Sequence, residues 1–276
     1  MTIFQAVILG LIQGLTEFLP VSSSGHLVLV PYIFNWPAHD VSFDVALHFG
    51  TALAVLLFFY KDWLTMLSSL KDDLMENKLK ADNLLNKDVV RPDTYQLLTI
   101  LIVSLPVGVV GILFENIIED LFRNPASVAL MLIVVSFVML LADWFYKKSS
   151  LKHKSQINFS DALIISLSQI LALIPGTSRS GITISTGLFK GITREAVARF
   201  SFLLATPIIL GATLIKLPDL LSGAENTLSI LIGILVSFIS GLFAINFLLK
   251  YLKQKDLTLF VIYRVILGII ILVIVL

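Results

Sequence analysis

The chain has 276 residues, of which 57% are hydrophobic and 14% are charged, with a formal net charge of +1 and no cysteine. A soluble domain carries about 25% charged residues, so the composition excludes an ordinary soluble domain. The small net charge argues against nucleic acid as a partner, and without cysteine there are no disulfides and no thiolate metal sites. We therefore expect an all-α polytopic protein whose surroundings are a lipid bilayer.

The first apolar segment, residues 3–34, contains a polar interruption. The stretch LPVSSSGHLVL begins at Leu19 and breaks the segment between Pro20 and Gly25. Proline and a serine–glycine run end a helix, so we predict two half-helices that enter and leave the membrane on one side. Non-helical backbone at this depth is tolerated only where protein or a water-filled cavity surrounds it. The break therefore predicts a functional site.

The remaining chain supplies six complete spans and a second broken segment. We predict spans at residues 45–60, 95–114, 127–146, 200–215, 228–249 and 257–276, the first and fourth of them short. The polar insert at residues 61–93 predicts an amphipathic hairpin. Residues 157–189 form another apolar segment, broken by PGTSRSG between Pro175 and Gly181. This second break predicts a second re-entrant helix-turn-helix.

The two broken segments resemble each other. QGLTEFLPVSSSG begins at Gln13 and QILALIPGTSRSG at Gln169, and their prolines are offset by one residue. Each segment is followed by three spans, an odd number, so the second copy starts on the opposite side of the membrane. We therefore expect an inverted repeat within one membrane domain, with residues 1–150 as the first half and 151–276 as the second.

The basic residues predict the orientation. In this topology two basic residues, Arg123 and Lys216, lie on one side of the membrane, and 16 lie on the other. Cytoplasmic loops carry the excess of lysine and arginine, so the side with 16 is expected to be cytoplasmic. Both termini then face outward, the two breaks enter from opposite sides, and their turns meet near the middle of the membrane.

The first break holds residue types that suit catalysis. Gln13 and Glu17 share one helix face, and a carboxylate among apolar residues is costly unless it is paired, hydrated or bound to a cation. A nucleophile near a base that a carboxylate orients is a catalytic arrangement. The alternative is a structural carboxylate satisfied by nearby hydroxyls and amides. The other candidates in this break are Ser22, Ser23, Ser24, Gly25 and His26.

The second break predicts an anion site. Arg179 offers a planar fork that suits phosphate, and turn amides together with half-helix N-termini attract anions. The alternative is an arginine that pairs with Glu17. The other candidates for this site are Gly176, Thr177, Ser178, Ser180 and Gly181.

Three further polar residues lie within predicted spans or at their ends. Arg264, in the last span, is interpreted as a structural partner for a buried carbonyl or carboxylate. Asp44 and His48 lie at the start of the span that follows the first break. The sequence does not decide whether these two residues lie near the site or away from it.

QGLTEFLPVSSSGHL and PGTSRSG resemble the two signature motifs of the undecaprenyl-diphosphate phosphatase family of the bacitracin-resistance type. The resemblance extends over the whole chain and includes residues 200–213 and 262–264. It implies an enzyme of the bacterial inner membrane, with its site open to the outer face. This enzyme would remove the terminal phosphate from undecaprenyl diphosphate and so recycle the lipid carrier for peptidoglycan precursors.

The resemblance also assigns roles within the breaks. Glu17, Ser23, His26 and Arg179 match the family's functional positions, with Gln13 and Ser178 as expected contacts. Known members depend on a divalent cation, Mg²⁺ or Ca²⁺, which Glu17 would bind. Position 13 is glutamate in some members and glutamine here, so one motif carboxylate remains for the metal.

Several alternatives stay open at this point. Ser23, His26 or water could be the nucleophile, and a homodimer is neither required nor excluded. The serine–glycine–histidine element also resembles type-2 phosphatidic acid phosphatases, but the other elements of that family are missing. A flippase of undecaprenyl phosphate is the alternative function, because broken helices at the midplane are typical of transporters. Fold alone does not decide between the two functions.

Overall fold

The structure, a computed structural model, describes the whole chain except residues 38–40, 81, 150–152, 223–226 and 276. Its described part is built from helices. These are α1 (Ile3–Phe18), α2 (Ser23–Ile33), α3 (Val41–Phe58), α4 (Tyr60–Met75), α5 (Pro92–Phe122), α6 (Pro125–Lys148), α7 (Phe159–Ser168), a 3-10 turn (Gln169–Leu173), α8 (Arg179–Phe189), α9 (Arg194–Ser222), α10 (Thr227–Leu252) and α11 (Thr258–Val275).

The predicted all-α polytopic membrane fold is confirmed. Five helices, α5, α6, α9, α10 and α11, are long and apolar enough to span a membrane, and α3 with α4 forms a sixth candidate bent by 73°. The fourth predicted span is not short, because α9 provides a candidate span of 23 residues from Arg194 to Lys216. The hydropathy of the sequence did not reveal the first turns of α9, because they carry charged side chains. Arg194 pairs with Asp143 near the end of α6. Arg199 pairs with Asp62 near the start of α4.

The polar insert contains one helix rather than a helical hairpin. After α4, the described chain returns to α5 through turns. Asp73, near the end of α4, accepts hydrogen bonds from the backbone N–H of Arg91 at 2.8 Å and from its guanidinium. This fully buried carboxylate closes the insert against the start of α5.

Both predicted breaks are present, and their local geometry matches. Ser22 caps α2 with φ 75° and Ser178 caps α8 with φ 72°. Each serine hydroxyl accepts the backbone N–H three residues later, that of Gly25 or Gly181. A positive φ is uncommon for a residue other than glycine, so this shared turn is specific.

The cap serines also settle the register between the two segments. Gln13 stands nine residues before Ser22, and Gln169 stands nine residues before Ser178. The one-residue offset therefore belongs to the prolines alone, and the functional parts of the two breaks are in register.

Ion pairs and hydrogen bonds group several helix ends together. Asp143, near the C-terminal end of α6, accepts two hydrogen bonds from Arg194 at the start of α9 and one from the backbone N–H of Leu257, just before α11. At the start of α3, Asp44 pairs with Arg123, which precedes α6, at 2.6 Å. The N-terminal ends of α9 and α11 thus share one side with the C-terminal end of α6.

Small residues let α1 pack closely on α10. A Cβ built on Gly14 would lie 1.9 Å from the hydroxyl of Ser240, and one built on Gly10 would lie 2.7 Å from the carbonyl of Gly233. Such close backbone approach is typical of membrane helix interfaces. The contact fixes α1, and with it the face that carries Gln13 and Glu17, against the second half of the chain.

Candidate active site

Glu17 lies where the two breaks meet. Its carboxylate accepts hydrogen bonds from the hydroxyl of Ser23 at 2.6 Å, the amide of Gln13 at 3.0 Å and the guanidinium of Arg179 at 3.0 Å. Nε2 of His48, on α3, lies 3.4 Å from the same carboxylate. Glu17 is 6% exposed, so this buried charge is compensated by the groups around it.

The local sequence explains how these donors reach Glu17. The spacing of Gln13 and Glu17 places them one turn apart on α1, and the glutamine amide donates along that face. The turn at Ser22 then reverses the chain, so that Ser23, the first residue of α2, returns to Glu17. The break therefore brings the hydroxyl of Ser23 back to the carboxylate of Glu17, which lies six residues earlier in the chain.

Arg179 connects the second break to both Glu17 and α9. One terminal nitrogen donates to Glu17 and the other to the backbone carbonyl of Ser201 at 2.7 Å. The Nε atom is buried and has no partner. The guanidinium thus uses one nitrogen on the carboxylate and keeps further N–H groups for an anion. The alternative interpretation, that Arg179 pairs with Glu17, is confirmed. This pair still leaves N–H groups of Arg179 that could bind an anion.

His26 lies close to the break but bonds to other groups. Its Nδ1 is 2.7 Å from the carbonyl of Ser22, and its Nε2 is 2.7 Å from the hydroxyl of Tyr263 on α11. Both ring nitrogens are engaged. The structure thus brings Ser23 together with Glu17 rather than with His26.

The serines and glycines of the breaks mainly shape the turns. The hydroxyls of Ser22 and Ser178 serve as caps, and Ser180 donates to the carbonyl of Leu19 at 3.1 Å, which joins the two breaks directly. Gly176 has φ +94°, and a Cβ there would lie 2.6 Å from the carbonyl of Val128. The buried hydroxyl of Thr177 has no partner.

Ser24 and Gly25 complete the first turn of α2. The hydroxyl of Ser24 lies 3.5 Å from that of Ser22, and the N–H of Gly25 is used by the cap. The first N–H groups of α2 and α8 have no acceptor within their own helices. Direct contact of these serines, glycines and amides with a substrate stays a prediction.

Arg264, on α11, donates hydrogen bonds to both breaks. Its guanidinium, 0% exposed, donates to carbonyls of both breaks and of α6, and to the hydroxyl of Ser136. These acceptors are the carbonyls of Gly176 at 2.9 Å, Thr177 at 3.1 Å, Met131 and Leu132 at 3.3 Å and Pro20 at 3.4 Å. The interpretation of Arg264 as a partner for buried carbonyls is confirmed.

Sequence reasoning left His48 open and missed Tyr263. His48 belongs to the site, whereas the carboxylate of Asp44 pairs with Arg123 and its carbonyl lies 2.7 Å from Nδ1 of His48. The signal for His48 is its spacing of four residues from Asp44 on a helix that follows the break. The signal for Tyr263 is a phenol beside a buried arginine in an otherwise apolar helix.

The site offers few protein ligands for a divalent cation. No group of three or more His, Cys, Asp or Glu side chains suitable for a metal is found among the described residues. Glu17 has a carboxylate, and the adjacent Gln13 has a buried Oε1 without a partner. Mg²⁺ commonly takes one or two carboxylates and completes its shell with water and substrate phosphates. Glu17 and Gln13 fit a cation of this kind.

Comparison with known proteins identifies a whole-chain match. The family model described as bacitracin resistance protein BacA matches residues 6–270. A protein named undecaprenyl-diphosphatase from Pelotomaculum thermopropionicum is 44% identical over 268 residues, covering 97% of this chain and 95% of the relative. Proteins of the same name from Desulforudis audaxviator and Moorella thermoacetica are each 41% identical, over 271 and 269 residues. These alignments cover 98% and 97% of this chain and 97% and 96% of the two relatives.

Proposed function

The chain belongs to the bacitracin resistance protein BacA family, and on that premise we propose that it hydrolyses undecaprenyl diphosphate to undecaprenyl phosphate and inorganic phosphate. The relatives named undecaprenyl-diphosphatase support this reaction. The observation that carries it is the convergence of Glu17, Ser23 and Arg179 from two broken segments. A hydroxyl, a carboxylate and a guanidinium in contact are the parts that phosphoryl transfer needs.

Arg179 is the group that would bind the terminal phosphate. Transfer of a phosphoryl group depends mainly on positioning and on stabilising negative charge. The free Nε of Arg179 and the N–H groups that open α8 are donors that need no rearrangement of the backbone. The carbonyl of Ser201 fixes the other side of the guanidinium, so that its remaining donors keep one direction.

Ser23 is the group best placed to attack. Its Oγ would form a bond to the terminal phosphorus as the bond between that phosphorus and the bridging oxygen breaks. Undecaprenyl phosphate leaves with the electrons of that bond, and the hydroxyl proton passes to Glu17, its acceptor at 2.6 Å. Water would then bond to the phosphorus as the bond from phosphorus to Oγ of Ser23 breaks. Oγ takes back the proton held by Glu17, and both hydrogens of the water leave with the inorganic phosphate. His26 does not bond to Ser23, and both of its ring nitrogens are bonded to other groups, so it is assigned a positioning role at the break rather than a proton transfer.

A bound divalent cation would be held by Glu17 and Oε1 of Gln13, and it would neutralise phosphate charge. The residues around it do the positioning. Gln13 and His48 keep the carboxylate of Glu17 oriented toward Ser23.

The location and sidedness of the site follow from the same premise. The chain is a multi-pass membrane protein, and its 16 basic residues on one predicted side favour a cytoplasmic position for that side. The site would then open to the outer face of the bacterial inner membrane. The matched caps at Ser22 and Ser178 support the division into inverted halves, 1–150 and 151–276.

Phosphate release by the purified protein in detergent tests the function. The substrate is undecaprenyl diphosphate, and the control is the Glu17→Gln variant in the same detergent. A flippase needs only to bind phosphate and would release none, since detergent provides no second compartment. Absence of release by the wild-type protein, with substrate binding retained, would favour the flippase.

A further inference from the structure

The hydrogen bonds of His26 fix where its protons lie. Nδ1 is 2.7 Å from the carbonyl oxygen of Ser22, and a carbonyl only accepts, so Nδ1 carries a hydrogen. In a neutral imidazole, Nε2 then holds the lone pair. The remaining contact of the ring, 2.7 Å from Nε2 to the hydroxyl of Tyr263, is therefore a bond that Tyr263 donates.

The surroundings of His26 favour the neutral ring. Its polar contacts are a carbonyl and a phenol, and neither carries a negative charge. His26 is 8% exposed, and a buried charge without a paired partner is costly. The residue next to Tyr263 on α11, Arg264, already carries a positive charge beside the breaks, which disfavours a second positive charge on His26. Nε2 of His26 is thus the nitrogen that accepts the hydrogen bond of Tyr263, and this bond determines the direction of the ring.

Ring packing reinforces this contact. The rings of His26 and Tyr263 are almost parallel, with an interplanar angle of 5° and centroids 5.8 Å apart. Tyr263 is 44% exposed on a helix whose neighbouring side chains, Leu259, Ile262 and Ile266, are apolar and exposed. A hydroxyl on such a membrane-facing surface has few partners, so its bond to His26 accounts for a tyrosine at this place.

We propose that Tyr263 is a positioning residue of the site, which holds Nε2 of His26 in place through its hydroxyl. Arg264, the next residue, holds the carbonyls of Pro20 and Gly176. One turn of α11 therefore anchors the two breaks and orients the imidazole between them. This inference rests on the proposed hydrolysis, because it gives His26 a role in that reaction.

The Tyr263→Phe variant tests the hydroxyl while the ring is kept. We expect kcat for phosphate release to fall about tenfold, the effect of one well-placed hydrogen bond, with KM changed less than about twofold. The matched control is Tyr32→Phe, because Tyr32 is also 44% exposed and lies on α2 itself. Its kcat should equal that of the wild type. Equal kcat for Tyr263→Phe and the wild type would overturn the proposal.

A double-mutant cycle shows whether Tyr263 acts through His26. Tyr263→Phe should change kcat less than about twofold in the His26→Ala background, because the group that it positions is absent. A full additional loss in that background would contradict the proposed coupling. Thermal unfolding of all four proteins in detergent serves as the check on folding.

A readout besides activity separates this inference from the proposed function. In protein labelled with ¹⁵N-histidine, the Nε2 resonance of His26, assigned with His26→Ala, should report an accepting nitrogen. It should move in Tyr263→Phe and stay in place in Tyr32→Phe. An unmoved resonance overturns the contact whether or not the protein hydrolyses the lipid. A moved resonance with no hydrolysis by the wild type would reject the function alone.

Discussion

The hydroxyl of Ser23 donates a 2.6 Å hydrogen bond to the carboxylate of Glu17 across the break between α1 and α2. In the proposed reaction this bond carries the proton of the attacking hydroxyl. Ser23→Ala should therefore lower kcat by about 1000-fold, and Glu17→Gln by about 100-fold, with smaller changes in KM. Phosphate release by the purified variants measures both.

Thr16→Ala is the control for these two variants. Thr16 neighbours Glu17 on α1, but its hydroxyl donates to the carbonyl of Ile12 within the same helix. Its kcat should stay near that of the wild type. Wild-type kcat in Ser23→Ala would remove the serine from the reaction and leave water as the nucleophile.

Arg179→Lys should lower kcat/KM by about 100-fold although the charge is kept. The guanidinium reaches Glu17 and the carbonyl of Ser201 with separate nitrogens, and a lysine ammonium lacks this planar fork. Arg199→Lys is the control, because Arg199 is half-exposed and pairs with Asp62 in a surface ion pair, which contributes little. A lysine at position 179 that supported full kcat/KM would show that charge alone suffices.

Gly176→Ala should destabilise the protein by about 3 kcal/mol, because it combines a positive φ with overpacking against α6. The added Cβ would lie 2.6 Å from the carbonyl of Val128. The matched variant is Gly108→Ala, where nothing lies within 4 Å of the added Cβ, and this helical position should tolerate alanine. Thermal unfolding in detergent compares the two, and similar midpoints would contradict the predicted clash.

Asp256, in the turn between α10 and α11, makes stability depend on pH at the acid end. Burial acts to raise the pKa of this carboxyl, but hydrogen bonds from Lys147 and from the backbone of Thr258 prevail and lower the pKa to about 2. A lowered pKa contributes stability above the unfolded value of about 3.9, and this contribution is lost as the pH falls through about 2.

Asp256→Asn should therefore cost about 1 kcal/mol at pH 7, a magnitude typical of a partly exposed ion pair. Its unfolding midpoint should approach that of the wild type as the pH falls from about 4 to about 2. Midpoints in detergent across this range provide the measurement. A constant difference between the two proteins would show that the Lys147 contact makes no pH-dependent contribution.

The absence of cysteine from the sequence makes the topology directly testable. Asn116→Cys, beyond the apolar part of α5, should react with an impermeant thiol reagent in intact cells. Gln254→Cys, in the turn between α10 and α11, should react only after the membrane is opened. Both side chains are exposed, so accessibility within the protein does not bias the comparison. The reverse labelling pattern would place the site on the cytoplasmic side.

Most of the fold could be predicted from the sequence because its signals are local. Long apolar runs marked the spans, and Pro20 and Gly176 lie within the stretches that interrupt them. The start of α9 was missed because Arg194 looks like a loop residue until its partner, Asp143 on α6, is known.

The site could be predicted only in part. Glu17, Ser23 and Arg179 were found, since their residue types are unusual at membrane depth, and the structure brings them together. The contact of His26 with Tyr263 joins residues 237 positions apart in the chain. No local pattern predicts such a partner, because it depends on how α11 packs behind the breaks.

The close packing of α1 on α10 has a consequence for biosynthesis. Gly10 and Gly14 leave the ribosome first, while their partners, Gly233 and Ser240, follow more than 200 residues later. The first helix must therefore remain without its main neighbour until nearly the whole polypeptide has been inserted. A chain truncated before α10 would lack the partners of Gly10 and Gly14 and also Arg264, which bonds to both breaks, so the complete active site can be assembled only at the end of translation.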